Sequence, residues 1–132
     1  METRDTFLLE NRPVIASAIV DDNTGVDEAF QNTTLRPIIK MQNDLLVAVF
    51  KNYIRKHKNV FHNLTIDKRL EYIDNAVQKD IKFRNSCKGI VIGVFTIAEY
   101  ETYIQNSSAL NKRMMNIVRE RLKNNLLNFE KA

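Results

Sequence analysis

The soft metal ligands in this 132-residue chain are three, His57, His62 and Cys87, and the last is also its one thiol nucleophile. A zinc centre needs three or four convergent ligands. Two histidines five positions apart, off a common helical face, and one distant thiol predict no metal site. His57 follows Ile54 by three residues on an apolar stripe, which predicts a half-buried histidine near a helix C-terminus. Cys87 shares a stripe with Phe83 and Val91, where a thiol packs as a small hydrophobe. Paired carboxylates occur at Glu71 with Asp74 and at Glu99 with Glu101. The first pair sits beside Lys68 and Arg69, and Glu99 has a capping position, so solvated helix surface accounts for both. No catalytic residue, metal or cofactor is expected.

Two other groups of polar residues carry more information. Gln42 falls on an apolar stripe between Ile38 and Leu45, and Ser107 and Asn111 fall between Ile104 and Met115. A buried amide without partners costs about 1–3 kcal/mol, so these residues predict either a hydrogen-bond network or, together with His57, a polar pocket. Basic residues form helical stripes as well: Lys51, Arg55 and Lys58, then Lys112, Arg119 and Lys123. Such stripes can meet phosphates, and a sequence pI near 9.3 permits it. They also lie in the C-terminal halves of their helices, where cations are favourable without any partner. No zinc-finger pattern, RNP motif or interleaved aromatic residues accompany them.

The elements that position these residues are helical. From Thr34 on, Leu35, Ile38, Ile39, Leu45, Leu46, Val49, Phe50, Tyr53 and Ile54 recur at three and four, the period of an amphipathic helix over about 35–58. Thr33 or Thr34 is placed to cap it, and Pro37 is tolerable in its first turn. Thr65 is placed to cap a second helix through Ile66, Leu70, Ile73, Val77 and Ile81, whose period continues across Phe83, Cys87, Ile90, Val91 and Val94. Thr96 with Glu99 forms a capping box that opens a third helix, with Ile97, Tyr100, Ile104, Met114, Met115, Val118, Leu122, Leu126 and Phe129 on its stripe. "QNSSAL" interrupts it as a kink or a break capped by Ser107 or Ser108.

The run "KGIVIGVFTIAEY", residues 88–100, admits three structures. A phosphate loop fails because Val94 and Phe95, not lysine and serine or threonine, follow Gly93. A helix would set Gly89 and Gly93 on one face, where a second helix approaches closely. A strand over "IVIGVF" is the alternative. Three glycines and two prolines in the whole chain favour helices over a many-stranded fold.

Charge divides the chain. Residues 1–33 hold two arginines against seven carboxylates, a net of −5, and residues 34–132 hold eighteen bases against nine acids, a net of +9. An acidic N-terminal arm on a basic body is therefore expected over 1–32, partly extended or disordered and including Pro13 and the polar "DDNTG"; such an arm can fold back on its own body, reach a neighbouring subunit or stay disordered. "VDEAFQN" adds one short helical turn. The single cysteine and the absence of a secretory leader point to a cytoplasmic protein, and no run reaches the roughly 20 apolar residues of a membrane span.

The phrases "TLRPIIKMQNDLLVAVFKNYIRKHKNVF", "KRLEYI", "KDIKFRNS" and "YIQNSSALNKRMMN" resemble a family of small bacterial proteins without an assigned function, some of which carry the label glyoxalase. The resemblance covers about residues 33–123 and implies a helical domain. The glyoxalase label implies a βαβββ fold with two histidines and two carboxylates around a metal, a ligand set that this chain lacks, so no catalytic residue is transferred.

The expected object is an all-α bundle of three to five helices with an extended N-terminal arm, residues 1–32, and a helical domain, residues 33–132. The last long helix is apolar on two flanks, with Leu110, Met114 and Ile117 beside Met115, Val118 and Leu122. Two flanks need two neighbours, one of which a second copy would supply. A non-enzymatic, self-associating interaction module, a homodimer with the acidic arm on its partner's basic surface, is thus the first expectation. Nucleic-acid or ribosome-associated binding through the basic stripes is the second, and a small-molecule or enzyme site around Gln42 and Asn111 the third.

Overall fold

The computed structural model describes residues 2–15 and 25–130, and among these residues the regular secondary structure is entirely helical. The order is α1 (Glu2–Glu10), α2 (Val26–Phe30), a π-turn (Gln31–Leu35), α3 (Arg36–Met41), α4 (Asn43–Lys56), a 3₁₀ turn (Val60–Asn63), α5 (Ile66–Lys79), α6 (Ile81–Ile92), α7 (Ile97–Tyr103), α8 (Ser107–Asn124) and a 3₁₀ turn (Leu126–Phe129). The all-α class holds, but there are more helical segments than three to five, because each long periodic stretch is cut.

The first stretch begins earlier than expected. Residues 26–41 are helical throughout, so Thr33 and Thr34 cap nothing: Thr33 donates to the Ala29 carbonyl and Thr34 to Glu99. Pro37 has no N–H for the Thr33 carbonyl, and the helix widens into a π-turn just before it. A break at Gln42 (φ −88°, ψ 6°) separates α3 from α4, which ends at Lys56 and not at 58. Lys58 and Asn59 are left-handed, with φ of 62° and 58°, so Lys58 does not extend the stripe of Lys51 and Arg55.

The second stretch is cut at Asp80. Thr65 caps α5 as expected, accepting from the Lys68 amide, and Asp80 caps α6 by accepting from the Phe83 amide at 3.2 Å. α6 runs to Ile92 and gives way to a turn, which removes the strand alternative for 90–95. Gly89 and Gly93 are both exposed, and among the described residues neither is a seam where a second helix backbone packs: Gly93 meets α1 only through its carbonyl, which accepts from Arg4. A Cβ on Gly89 would meet nothing within 4 Å, while one on Gly93 would lie 2.8 Å from the Gly89 carbonyl of its own helix. In the third stretch, Thr96 and Glu99 form the reciprocal capping box, and α8 starts after Asn106, so neither Ser107 nor Ser108 occupies its N-cap.

α8 is the central strut, packed by α3, α4, α5 and α6. Both of its apolar flanks are buried within one chain: Leu110, Met114 and Ile117 as well as Met115, Val118 and Leu122. The expectation that a second copy must cover one flank is thereby corrected, because cutting the long stretches yields enough helices to surround α8. At one end of the core the Phe50 ring meets Phe61, Phe83 and Phe129 edge-on with centroids 4.8–5.8 Å apart. At the other end Phe30 meets Phe95 at 5.7 Å. Phe30 belongs to the core, so the body includes residues assigned to the arm.

The arm itself is helical over Glu2–Glu10, not extended, and it docks on its own chain. Arg4 donates to the Gly93 and Phe95 carbonyls, and Asp5 accepts from the Ile97 amide at 3.1 Å. Arg12 makes a two-pronged pair with Glu99 and donates to the Val94 carbonyl. The arm's two arginines and one aspartate thus hold it to the α6–α7 turn, in place of the expected contact between its acidic residues and a partner's basic surface. The "DDNTG" residues 21–24 and most of "VIASAIV" lie outside the described residues.

Candidate functional site

The structure separates the residues proposed for a polar pocket. Gln42 donates from Nε2 to the Ile90 carbonyl at 3.1 Å, tying the α3–α4 break to α6. Asn111 accepts from the Tyr103 hydroxyl, which ties α8 to α7. Ser107 is half-buried at the start of α8. Each amide has a separate local partner, so the three do not form one network, and none of them lines the clefts described below.

The basic stripes separate too. Arg119 and Lys123 turn toward α5, where Asp74 Oδ1 lies 3.5 Å from Arg119 Nε and 2.6 Å from Lys123 Nζ. Both contacts are ion pairs by charge proximity without hydrogen-bond alignment, the Lys123 one the closer. Lys112, Lys51 and Arg55 are exposed, and Lys58 stands beyond the helix end.

His57 is the one pocket candidate that lies in a cleft. It is exposed, not half-buried, because α4 ends there; its ring stacks on Tyr53 with centroids 4.1 Å apart, and Nδ1 lies 2.8 Å from the Tyr53 carbonyl. The Tyr53 hydroxyl donates to Asp80 Oδ2 at 2.9 Å, across the gap between α4 and the start of α6. Burial, reinforced by that carboxylate, pushes the Tyr53 hydroxyl well above the usual phenol range. The Phe83 amide and then the Tyr53 hydroxyl hold Asp80 below the usual carboxylate range. The cleft encloses about 280 Å³ between α4 and α6. Sequence reasoning missed Asp80, although an aspartate three residues before Phe83 is an N-cap signal; the unbroken apolar period across Ile81 hid it.

No group of three or more potential metal ligands occurs among the described residues. Cys87 is buried, and burial pushes its thiol up to about 12, far from a reactive thiolate. None of their helices is long and apolar enough to cross a membrane.

The third group is apolar. Ile97, Tyr100 and Ile104, expected on the core stripe, face outward and are 39%, 46% and 50% exposed, while Tyr103 turns inward. The positions i, i+3 and i+7 make one face of α7. α7 also stands outside the set of helices packed closely on α8. Arg4 and Asp5 of α1 share a cleft with Ile97 and Tyr100, so α1, which exposes Phe7 and Leu9, runs beside this face. The capping box fixes the rotation of α7: Thr96 is buried, Glu99 faces inward to accept from Thr34 and Arg12, and Ile97, Tyr100 and Ile104 are left outside.

Comparison with models of known families, with characterised proteins and with solved structures returns no match.

Proposed function

We propose that the protein is a non-enzymatic interaction module that pairs with a second copy of itself through the outward face of α7. The observation behind this proposal is the exposure of Ile97, Tyr100 and Ile104 on one helical face beside α1. Contiguous apolar residues left in water on a rigid element are the usual mark of a contact surface. A second copy fits because the chain carries both charge signs on separate exposed faces, Glu28 and Glu101 on α2 and α7, Lys51 and Arg55 on α4. The homodimer, the reducing cytoplasmic setting suggested by a buried free thiol, and membership of the small bacterial family belong to the same proposal.

Nucleic-acid binding is the second reading, supported by the exposed Lys51, Arg55 and Lys112. It is weakened by the engagement of Arg119 and Lys123 with Asp74. The test is an Ile97→Glu/Ile104→Glu variant. Both positions are exposed, so circular dichroism should be unchanged while self-association is lost. Unchanged association in the folded variant would refute the assignment of the α7 face.

A further inference from the structure

The α4–α6 cleft carries a chemistry that the interaction surface does not use. Its floor is apolar, made by Val49 and Phe83, and its rim carries Lys56, Lys82, Asn52 and Ser86. One acid, Asp80, lies in the same cleft and keeps its charge, with Oδ1 accepting from the Phe83 amide and Oδ2 from the Tyr53 hydroxyl; against its single negative charge the two lysines leave the cleft net positive. Lys56 and Lys82 have no ion-pair partner among the described residues. The two lysines come from different helices, and what brings them to one cleft is the break at Asp80 that starts α6 opposite the last turn of α4.

We propose that this cleft binds a small organic anion with an apolar or aromatic body. The body rests on Val49 and Phe83 beside the Tyr53 ring, and the carboxylate or phosphate ester group meets Lys56 and Lys82, with Asn52 and Ser86 offering hydrogen bonds at the rim. At about 280 Å³ the cleft is close to the lower end of ligand pockets, roughly 300–1,000 Å³, and suits a single-ring ligand. Tyr53 serves as wall and not as donor, since its hydroxyl is committed to Asp80. A simple inorganic anion would use the lysines and waste the floor. An organic cation would use the floor and be repelled by the rim.

The experiment is an amide NMR titration of the full chain with benzoate, phenyl phosphate, inorganic phosphate and benzylamine in turn. Saturable shifts confined to residues 49–57 and 80–86 are expected with benzoate, phenyl phosphate or both, in the millimolar range or tighter, and the better of the two identifies the headgroup. Lys56→Gln/Lys82→Gln should weaken binding about tenfold or more with the rest of the spectrum unchanged, since both lysines are exposed. Absence of saturable shifts with both organic anions would overturn the proposal. So would equal binding of benzylamine, equal binding of inorganic phosphate, or full retention of binding in the double variant.

Discussion

Replacing Arg12 with alanine tests the contact that fixes both α1 and the rotation of α7. Arg12 and Glu99 are 7% and 16% exposed, and Arg12 reaches both carboxylate oxygens of Glu99 as well as the Val94 carbonyl. Removing one partner of a buried pair costs about 3–5 kcal/mol where the other charge is stranded. Glu99 is not fully stranded, because the Thr96 amide and Thr34 hydroxyl still donate to it, so the expected loss is about 2–3 kcal/mol. Urea unfolding followed by circular dichroism gives the global loss, and hydrogen exchange over 2–10 gives the undocking of α1. The pH dependence has a fixed sign. Burial alone would raise the Glu99 carboxyl, but Arg12, the Thr96 amide and Thr34 outweigh it and hold it below the ordinary range. Its stabilising contribution is therefore present above the unfolded value of about 4.3 and lost as pH falls through the lower folded value. That acid loss should shrink in Arg12→Ala. In a cycle with Glu99→Gln, the two single losses should fail to add by about 1–3 kcal/mol. Additive losses, or α1 protection unchanged in Arg12→Ala, would refute the clamp.

Three further sites are tested by their local geometry. Gly89→Ala, in a helix interior with open space at the new methyl, should stabilise by about 1 kcal/mol, whereas Gly93→Ala should destabilise because its methyl meets the Gly89 carbonyl; thermal unfolding of the pair gives opposite signs. Asp80→Ala should cost about 2 kcal/mol in urea unfolding, from a lost cap and an orphaned Tyr53 hydroxyl, and Asp80→Asn should recover much of it. Cys87 should resist a thiol reagent at pH 8 in the native protein and react once urea unfolds it, and rapid native reaction would contradict its burial.

The core was legible in the sequence because it depends on periodicity: Leu35, Ile38, Ile39, Leu46, Phe50 and Ile54, then Ile73, Val77, Phe83, Cys87 and Val91, are buried as their spacing requires. The capping signals at Thr65 and Thr96 were equally local. Periodicity in the sequence does not reveal where a helix is cut, so the breaks at Asp80 and Gln42 were not expected, although Gln42 itself stood out as a polar residue on the stripe. It is equally blind to which side of a short helix faces in. Ile97, Tyr100 and Ile104 repeat like core residues, and only the long-range partners of Glu99 turn them out. The docking of α1 has no periodic signature at all, because three polar side chains make it against backbone groups 82–92 positions away. The α4–α6 cleft was legible only through His57.

Light scattering coupled to size-exclusion chromatography, with absorbance recorded at 260 and 280 nm, tests self-association most directly. The expected result is a species of twice the 15.4 kDa chain mass with absorbance typical of protein, insensitive to salt. A 15.4 kDa species at high protein concentration would contradict the account, as would a 260-nm-rich species that high salt strips to the monomer.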